Sequence, residues 1–103
     1  MIIVNSINTV PIRITDERWR HITHRHPEMY NQLDKVSLTL SNPDMILEGD
    51  TKELLAIRLF PQTPLTRKYL VAAYRESSQN DGFILTAYFA SQPSQRRTIL
   101  WKR

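Results

Sequence analysis

Three apolar, β-rich runs crowd the second half of the chain, at residues 53–60, 68–75 and 83–90. The last, Phe83-Ile84-Leu85-Thr86-Ala87-Tyr88-Phe89-Ala90, is rich in residues that fit a pleated, half-buried surface. Residues 53–60 (Glu-Leu-Leu-Ala-Ile-Arg-Leu-Phe) are apolar at odd and even positions alike, as in a strand covered on both faces. That run also suits a helix, but a proline-bearing loop at 61–66 bounds it tightly. Between the second and third runs, Ser77 to Gly82 forms a turn cluster ending in Asp81-Gly82, a hairpin signal. Shorter strands are expected at 9–14, 44–48 and 98–102. Pro11 restricts the first of these to a sheet edge or a strand start.

Helices are expected ahead of the main strands. Thr15 is a good N-cap, and Asp16 and Glu17 would face the positive end of the helix dipole. Trp19, Ile22 and His26 then recur at helical spacing. Pro27 disfavours helix geometry at His26, so it ends or kinks this helix. It can equally open a second helix. Met29, Leu33, Val36 and Leu40 mark residues 28–41 as an amphipathic helix. Ser41-Asn42-Pro43-Asp44 is a turn signal. The predicted layout is α+β, with two N-terminal helices packed on one face of a four- to five-stranded antiparallel sheet. At 103 residues the chain is expected to form a single domain, 1–103.

Charge narrows the function. Fourteen Lys+Arg against ten Asp+Glu give a formal net charge of +4. Most of the cations are arginine, whose planar guanidinium contacts phosphate in bidentate fashion. That balance leans toward nucleic acid or an acidic protein partner. The chain has no cysteine, which excludes a disulfide scaffold, a Cys-ligated zinc finger and a thiol nucleophile. Its two glycines, Gly49 and Gly82, exclude a Gly-rich phosphate loop. Apolar runs such as Ile2-Ile3-Val4 fall far short of the roughly 20 residues that span a bilayer. With no signal-peptide pattern, a cytoplasmic protein without membrane association is expected.

All three histidines, His21, His24 and His26, lie within six positions. Histidine is the usual acid or base near neutral pH. Helical zinc sites present histidines four residues apart. Spacings of three, two and five, interrupted by a proline, do not match, so neither a metal nor a cofactor is expected. His21, Arg25 and Glu28 would share one helix face if the helix bends only slightly at Pro27. Plainer readings are a buried His26 at the kink, solvated His21 and His24, a local Arg25–Glu28 ion pair, and Trp19 as a core anchor. Strand alternation predicts Thr86 and Tyr88 on one face, with Phe83, Leu85, Ala87 and Phe89 on the other. Arg58 is a lone charge in an apolar run. It needs an anion, a carboxylate or water at the sheet rim. Arg67, Lys68 and Arg75 surround the run 68–75, and Arg96, Arg97, Lys102 and Arg103 make the end of the chain basic. That basic tail either contacts a phosphate backbone or is merely solvated.

The run Ile14-Thr15-Asp16-Glu17-Arg18-Trp19-Arg20-His21-Ile22, followed by Arg25-His26-Pro27-Glu28-Met29, resembles the opening of a phage- and toxin-associated family. That family belongs to the barnase–EndoU–colicin–RelE superfamily of small ribonuclease-like domains. Later landmarks are similar in order and spacing: Thr39-Leu40-Ser41-Asn42-Pro43-Asp44, Tyr69-Leu70-Val71, and Gly82-Phe83-Ile84-Leu85-Thr86-Ala87-Tyr88. The resemblance runs from about residue 12 to 102. It implies two N-terminal helices on a four-stranded antiparallel sheet. It also implies a metal-independent ribonuclease, often a toxin neutralised by a co-encoded antitoxin. The family pattern of a helix histidine, a basic residue on an early strand and a late-strand hydroxyl carries over to His21 or His26, Arg58 and Thr86, with Tyr88 as a companion.

Metal-free RNA cleavage needs a base for the 2′-hydroxyl proton, an acid for the leaving 5′-oxygen, and donors for the phosphate charge. The expected catalytic set is therefore His21, His26, Arg58 and Thr86. Arg25, Glu28, Lys68, Tyr88, Arg96 and Arg97 are the expected substrate contacts, and Glu28 is a competing base. Two alternatives have the same charge pattern in view: a non-catalytic RNA- or protein-binding module on the same fold, and a metal-dependent enzyme using the histidines.

Overall fold

A computed structural model describes residues 1–61 and 68–103. The chain opens with two short strands, β1 (Ile2–Asn5) and β2 (Pro11–Ile14). Helix α1 (Asp16–Arg25), a 3₁₀ turn (Pro27–Met29) and helix α2 (Leu33–Ser41) follow. Five strands complete the chain: β3 (Met45–Glu48), β4 (Leu54–Phe60), β5 (Lys68–Ser78), β6 (Asp81–Ala90) and β7 (Ile99–Lys102). They form one sheet in the order β1-β2-β6-β5-β4-β3-β7. The expected α+β layout is present, and β3 through β6 make the expected antiparallel meander.

The sheet is larger than expected, and it is mixed. It has seven strands, not four or five, and β2 runs parallel to β6, pairing Ile12 with Gly82 and Arg13 with Phe83. The extra width comes from the apolar start of the chain. Ile2 pairs with Ile14 and Val4 with Ile12, so a β1–β2 hairpin precedes the helices. That hairpin covers part of the β6 edge, which would otherwise expose unpaired backbone groups. Pro11 stands at the first position of β2, where its missing N–H costs nothing to the ladder.

Helix α1 starts as read: the Thr15 hydroxyl accepts from the Arg18 N–H at 3.1 Å. It stops at Arg25, because His26 takes a non-helical φ of −129° and ψ of 77° ahead of Pro27. The following segment is not one helix over 28–41. Pro27–Met29 make a single 3₁₀ turn, and α2 begins only at Leu33. Met29 therefore reaches the core from the turn. Glu28 lies beyond the end of α1 and does not continue the face carrying His21 and Arg25.

The helices cover one sheet face. Ile12, Ile14, Ile22, Met29, Val36, Leu40, Leu70, Tyr74 and Ile84 form the main core there. Ala56, Ala72 and Ala87 line up across β4, β5 and β6 and are fully buried. This row of small side chains leaves room for close packing against the sheet. The opposite face carries a second cluster, Leu47, Leu55, Ile57, Val71 and Ala73, flanked by Met45, Tyr69, Leu85, Tyr88 and Ala90. β4 is thus apolar on both faces, as its sequence requires.

Two details of the β5–β6 hairpin depart from expectation. Its tip is Gln79-Asn80, and Asp81-Gly82 lie inside β6, with Ser78 opposite Asp81. Gly82 is needed for space. A Cβ there would lie 2.6 Å from the Arg75 carbonyl oxygen and 2.6 Å from Ile12 Cδ1. Further along, Ala73 pairs with Thr86 but Tyr74 pairs with Ile84, so Leu85 is the extra residue of a β-bulge. The bulge breaks the predicted alternation. Leu85 joins Tyr88 on the face away from the helices. Phe83, opposite Arg75, falls on that face too. Of the four residues expected opposite Thr86 and Tyr88, only Ala87 and Phe89 lie there, and that face is the helix side.

Candidate active site

β2 pairs with β6 only at Gly82 and Phe83. Beyond that point the 3₁₀ turn passes close to β6. His26 sits at this junction. Its backbone N–H closes α1 on the Ile22 carbonyl at 2.8 Å, and its carbonyl accepts from the Met29 N–H at 2.9 Å. Both bonds hold the backbone while the side chain stays about one-third exposed. The imidazole lies against Tyr88, with ring centroids 5.6 Å apart and planes tilted by 32°. Its Nδ1 is 3.8 Å from Glu28 Oε2. That is too long for a hydrogen bond but close enough to orient the Nδ1 edge toward the carboxylate. Nε2 is then the nitrogen left for a substrate.

Tyr88 is half-buried and pairs with Val71. Thr86, also half-buried, lies two residues along the same strand and on the same face, opposite Ala73. Arg97 approaches from the connection before β7. Its Nη1 donates to Asp50 Oδ1 at 2.9 Å and to the Glu48 carbonyl at 3.4 Å. The Asp50 hydrogen bond holds the Arg97 guanidinium firmly protonated, and the Tyr88 phenol and Glu53 carboxyl act in the same direction at longer range. These contacts hold Arg97 at the end of β3. The set can move a proton (His26), donate from hydroxyls (Thr86, Tyr88) and offset anionic charge (Arg97).

The other expected residues lie elsewhere. His21 is exposed on α1, in a surface depression with Thr15, Glu17 and Arg18. Arg58 points to the helix side, where its Nη1 donates to the Asn42 carbonyl at 2.6 Å. It also lies over Phe60, 5.9 Å from the ring centroid. Its charge thus helps close the C-terminal end of α2. Lys68 is exposed opposite Phe60, in register with the helix side. Arg25 is exposed at the last position of α1, and Arg96 is exposed next to Arg97. Arg67 lies outside the described residues. The structure brings His26, Glu28 and Tyr88 together, with Thr86 two residues along β6 on the Tyr88 face. Arg97 is held at Asp50 and the Glu48 carbonyl, and His21, Arg58 and Lys68 lie apart.

Sequence reasoning gave no role to two further cations on this face. Arg13 makes a bidentate pair with Asp81, at 2.8 and 3.1 Å, and lies 5.9 Å from the Phe83 ring centroid. Arg75 donates to the Thr51 carbonyl at 3.2 Å and to the Thr51 hydroxyl at 2.9 Å. Alternation from Val71 through Ala73 places Arg75 on the Tyr88 face, so that signal was present. Arg13 required the parallel β2–β6 pairing. Among the described residues, no group of three or more His, Asp or Glu side chains could hold a metal ion. None of their helices is long and apolar enough to cross a membrane. Comparison of the chain with family models, curated proteins and solved structures finds no match.

Proposed function

We propose that this chain is a small, metal-independent endoribonuclease of toxin type, cleaving RNA by general acid–base transesterification. The observation that carries the reading is His26 packed on Tyr88, with Glu28 at its Nδ1 edge. The +4 charge and the resemblance to the barnase–EndoU–colicin–RelE superfamily support it. In the reaction a base removes the ribose 2′-hydroxyl proton and the 2′-oxygen attacks phosphorus. The bond from phosphorus to the 5′-oxygen breaks, and that oxygen takes a proton. The products are a 2′,3′-cyclic phosphate and a 5′-hydroxyl. His26 Nε2 serves one of the two proton transfers. The Thr86 and Tyr88 hydroxyls donate to the phosphate oxygens, and Arg97 offsets their charge. Arg25 and Arg96 guide the flanking backbone. A cytoplasmic RNA substrate and a co-encoded antitoxin complete the proposal.

The test is cleavage of a mixed-sequence RNA in EDTA by wild type, His26→Ala and His21→Ala, each checked for folding by circular dichroism. The expected result is wild-type cleavage that falls about 100- to 1000-fold in His26→Ala, with His21→Ala close to wild type. Undiminished activity in His26→Ala would overturn the site. RNA that binds at low salt but is never cut would move the chain to the non-catalytic binding module.

A further inference from the structure

We propose that β7 is a docking edge for an acidic, extended segment of a partner protein, which adds to the sheet as a further strand. β7 pairs with β3 on one side, with Trp101 opposite Ile46 and Ile99 opposite Leu47. It is the outermost strand at its end of the sheet, and among the described residues nothing pairs with its outer side. An edge of this kind presents a row of free backbone donors and acceptors. Here it also exposes three consecutive large apolar side chains: Ile99 at 54%, Leu100 at 47% and Trp101 at 36%. Backbone pairing supplies affinity and the apolar side chains supply contact area in strand addition.

Charge selects the occupant. Arg96 and Arg97 precede the strand, Lys102 and Arg103 end it, and residues 94–103 include no acidic residue. Arg97 is engaged with Asp50, and Arg103 with Asn42 and Pro43. Arg96 and Lys102 are exposed at the two ends of the apolar run. The matching segment carries carboxylates at both ends of a short β-branched stretch. A second copy of this chain fits poorly. Antiparallel β7–β7 pairing would set Arg96 and Arg97 of one copy against Lys102 and Arg103 of the other, like charges facing. The opposite sheet edge offers no relief, since residues 1–15 have no acidic side chain. RNA fits less well than a peptide. Ile99 and Leu100 are aliphatic and Trp101 is the one aromatic of the exposed run, whereas single-strand binding relies on successive aromatic stacking platforms.

The probe is a fluorescently labelled synthetic peptide, Glu-Glu-Val-Thr-Ile-Val-Glu-Glu, titrated with the full chain and followed by anisotropy. The control replaces every Glu of the peptide by Lys. The expected result is saturable binding of the acidic peptide alone, weakening as salt is added. Lys102→Glu should weaken it by about tenfold, and Ile99→Glu should weaken it further, with both variants folded by circular dichroism. Amides of residues 99–102 should gain protection from hydrogen exchange when the peptide binds. Equal binding of the lysine peptide, or no added protection in β7, would overturn the proposal. So would protection of the residue 99–102 amides by a uridine oligonucleotide in the absence of peptide, or salt-sensitive dimerisation of the chain in sedimentation. None of these readouts requires RNA cleavage, so the docking edge and the ribonuclease reading stand or fall separately.

Discussion

The His26 imidazole rests against the Tyr88 ring, 5.6 Å between centroids, although the two residues belong to opposite layers of the molecule. His26 leaves the end of α1 on the helix side, while Tyr88 belongs to the cluster on the far face of the sheet. They meet around the part of β6 that β2 does not cover. Tyr88→Phe keeps the ring contact and removes the hydroxyl. If that hydroxyl donates to the phosphate, single-turnover RNA cleavage falls about 100-fold with no drop in melting temperature. A wild-type rate in Tyr88→Phe would reduce Tyr88 to a support for His26, which Tyr88→Ala would then expose.

Gly82 sits where β2 and β5 crowd the same backbone position. Its φ is not positive, so the demand is for space alone. The Arg75 carbonyl is main chain and cannot swing aside. Gly82→Ala is therefore expected to destabilise the fold by about 1–3 kcal/mol, the usual cost of forcing extra volume into a packed site. Thermal unfolding should show a melting temperature lower by roughly 4–8 °C per kcal/mol. An unchanged melting temperature would mean that neither β5 nor β2 crowds this position in solution.

Tyr74 is fully buried in the helix-side core, and among the described residues its hydroxyl has no hydrogen-bond partner. Burial, assisted by the nearby Glu76 charge, pushes its phenol well above the ordinary tyrosine range. It therefore stays neutral at every pH where the fold is normally studied. An unpaired buried hydroxyl costs about 1–3 kcal/mol. Tyr74→Phe removes that cost and keeps the ring, so urea unfolding should show equal or greater stability, by about 1 kcal/mol. The gain should be the same at pH 5 and pH 8 (ordinary laboratory values well below tyrosine titration). A clear loss would point to a partner for the hydroxyl.

Burial works to raise the Glu53 carboxyl, but hydrogen bonds from its own and the Thr51 backbone N–H and from the Thr51 hydroxyl, with the Arg75 charge, hold it below the ordinary value of 4.5. A depressed folded value means that the stabilisation is fully present above the unfolded value and is lost as pH falls through the folded one. Wild type should therefore exceed Glu53→Gln in stability at neutral pH. The difference should shrink on acidification below about pH 4.5. Paired urea titrations across that window check it. A constant difference would remove the carboxylate from the account of acid sensitivity.

Much of the fold was legible because it rests on short-range physics. Thr15 with Asp16 and Glu17 starts a helix wherever it occurs, Pro27 stops one, and the two-faced apolar run in β4 demands cover on both sides. These features marked α1, the central strands and the α+β class. Tertiary structure decided what depends on distant partners. The β1–β2 hairpin and its parallel seat beside β6 follow from which edge Ile12 can bury against, and local propensity does not encode that. The bulge at Leu85 moved Phe83 and Leu85 to the Tyr88 face, because one inserted residue reverses the side-chain parity of everything before it. The site divided in the same way. The residue types of His26, Thr86 and Tyr88 could be read from the chain. Their placement around one edge of β6, and the engagement of Arg58 by the Asn42 carbonyl on the helix side, required the packed structure. A side chain's chemistry is local, but the face on which it acts is set by register and by the neighbours that register brings.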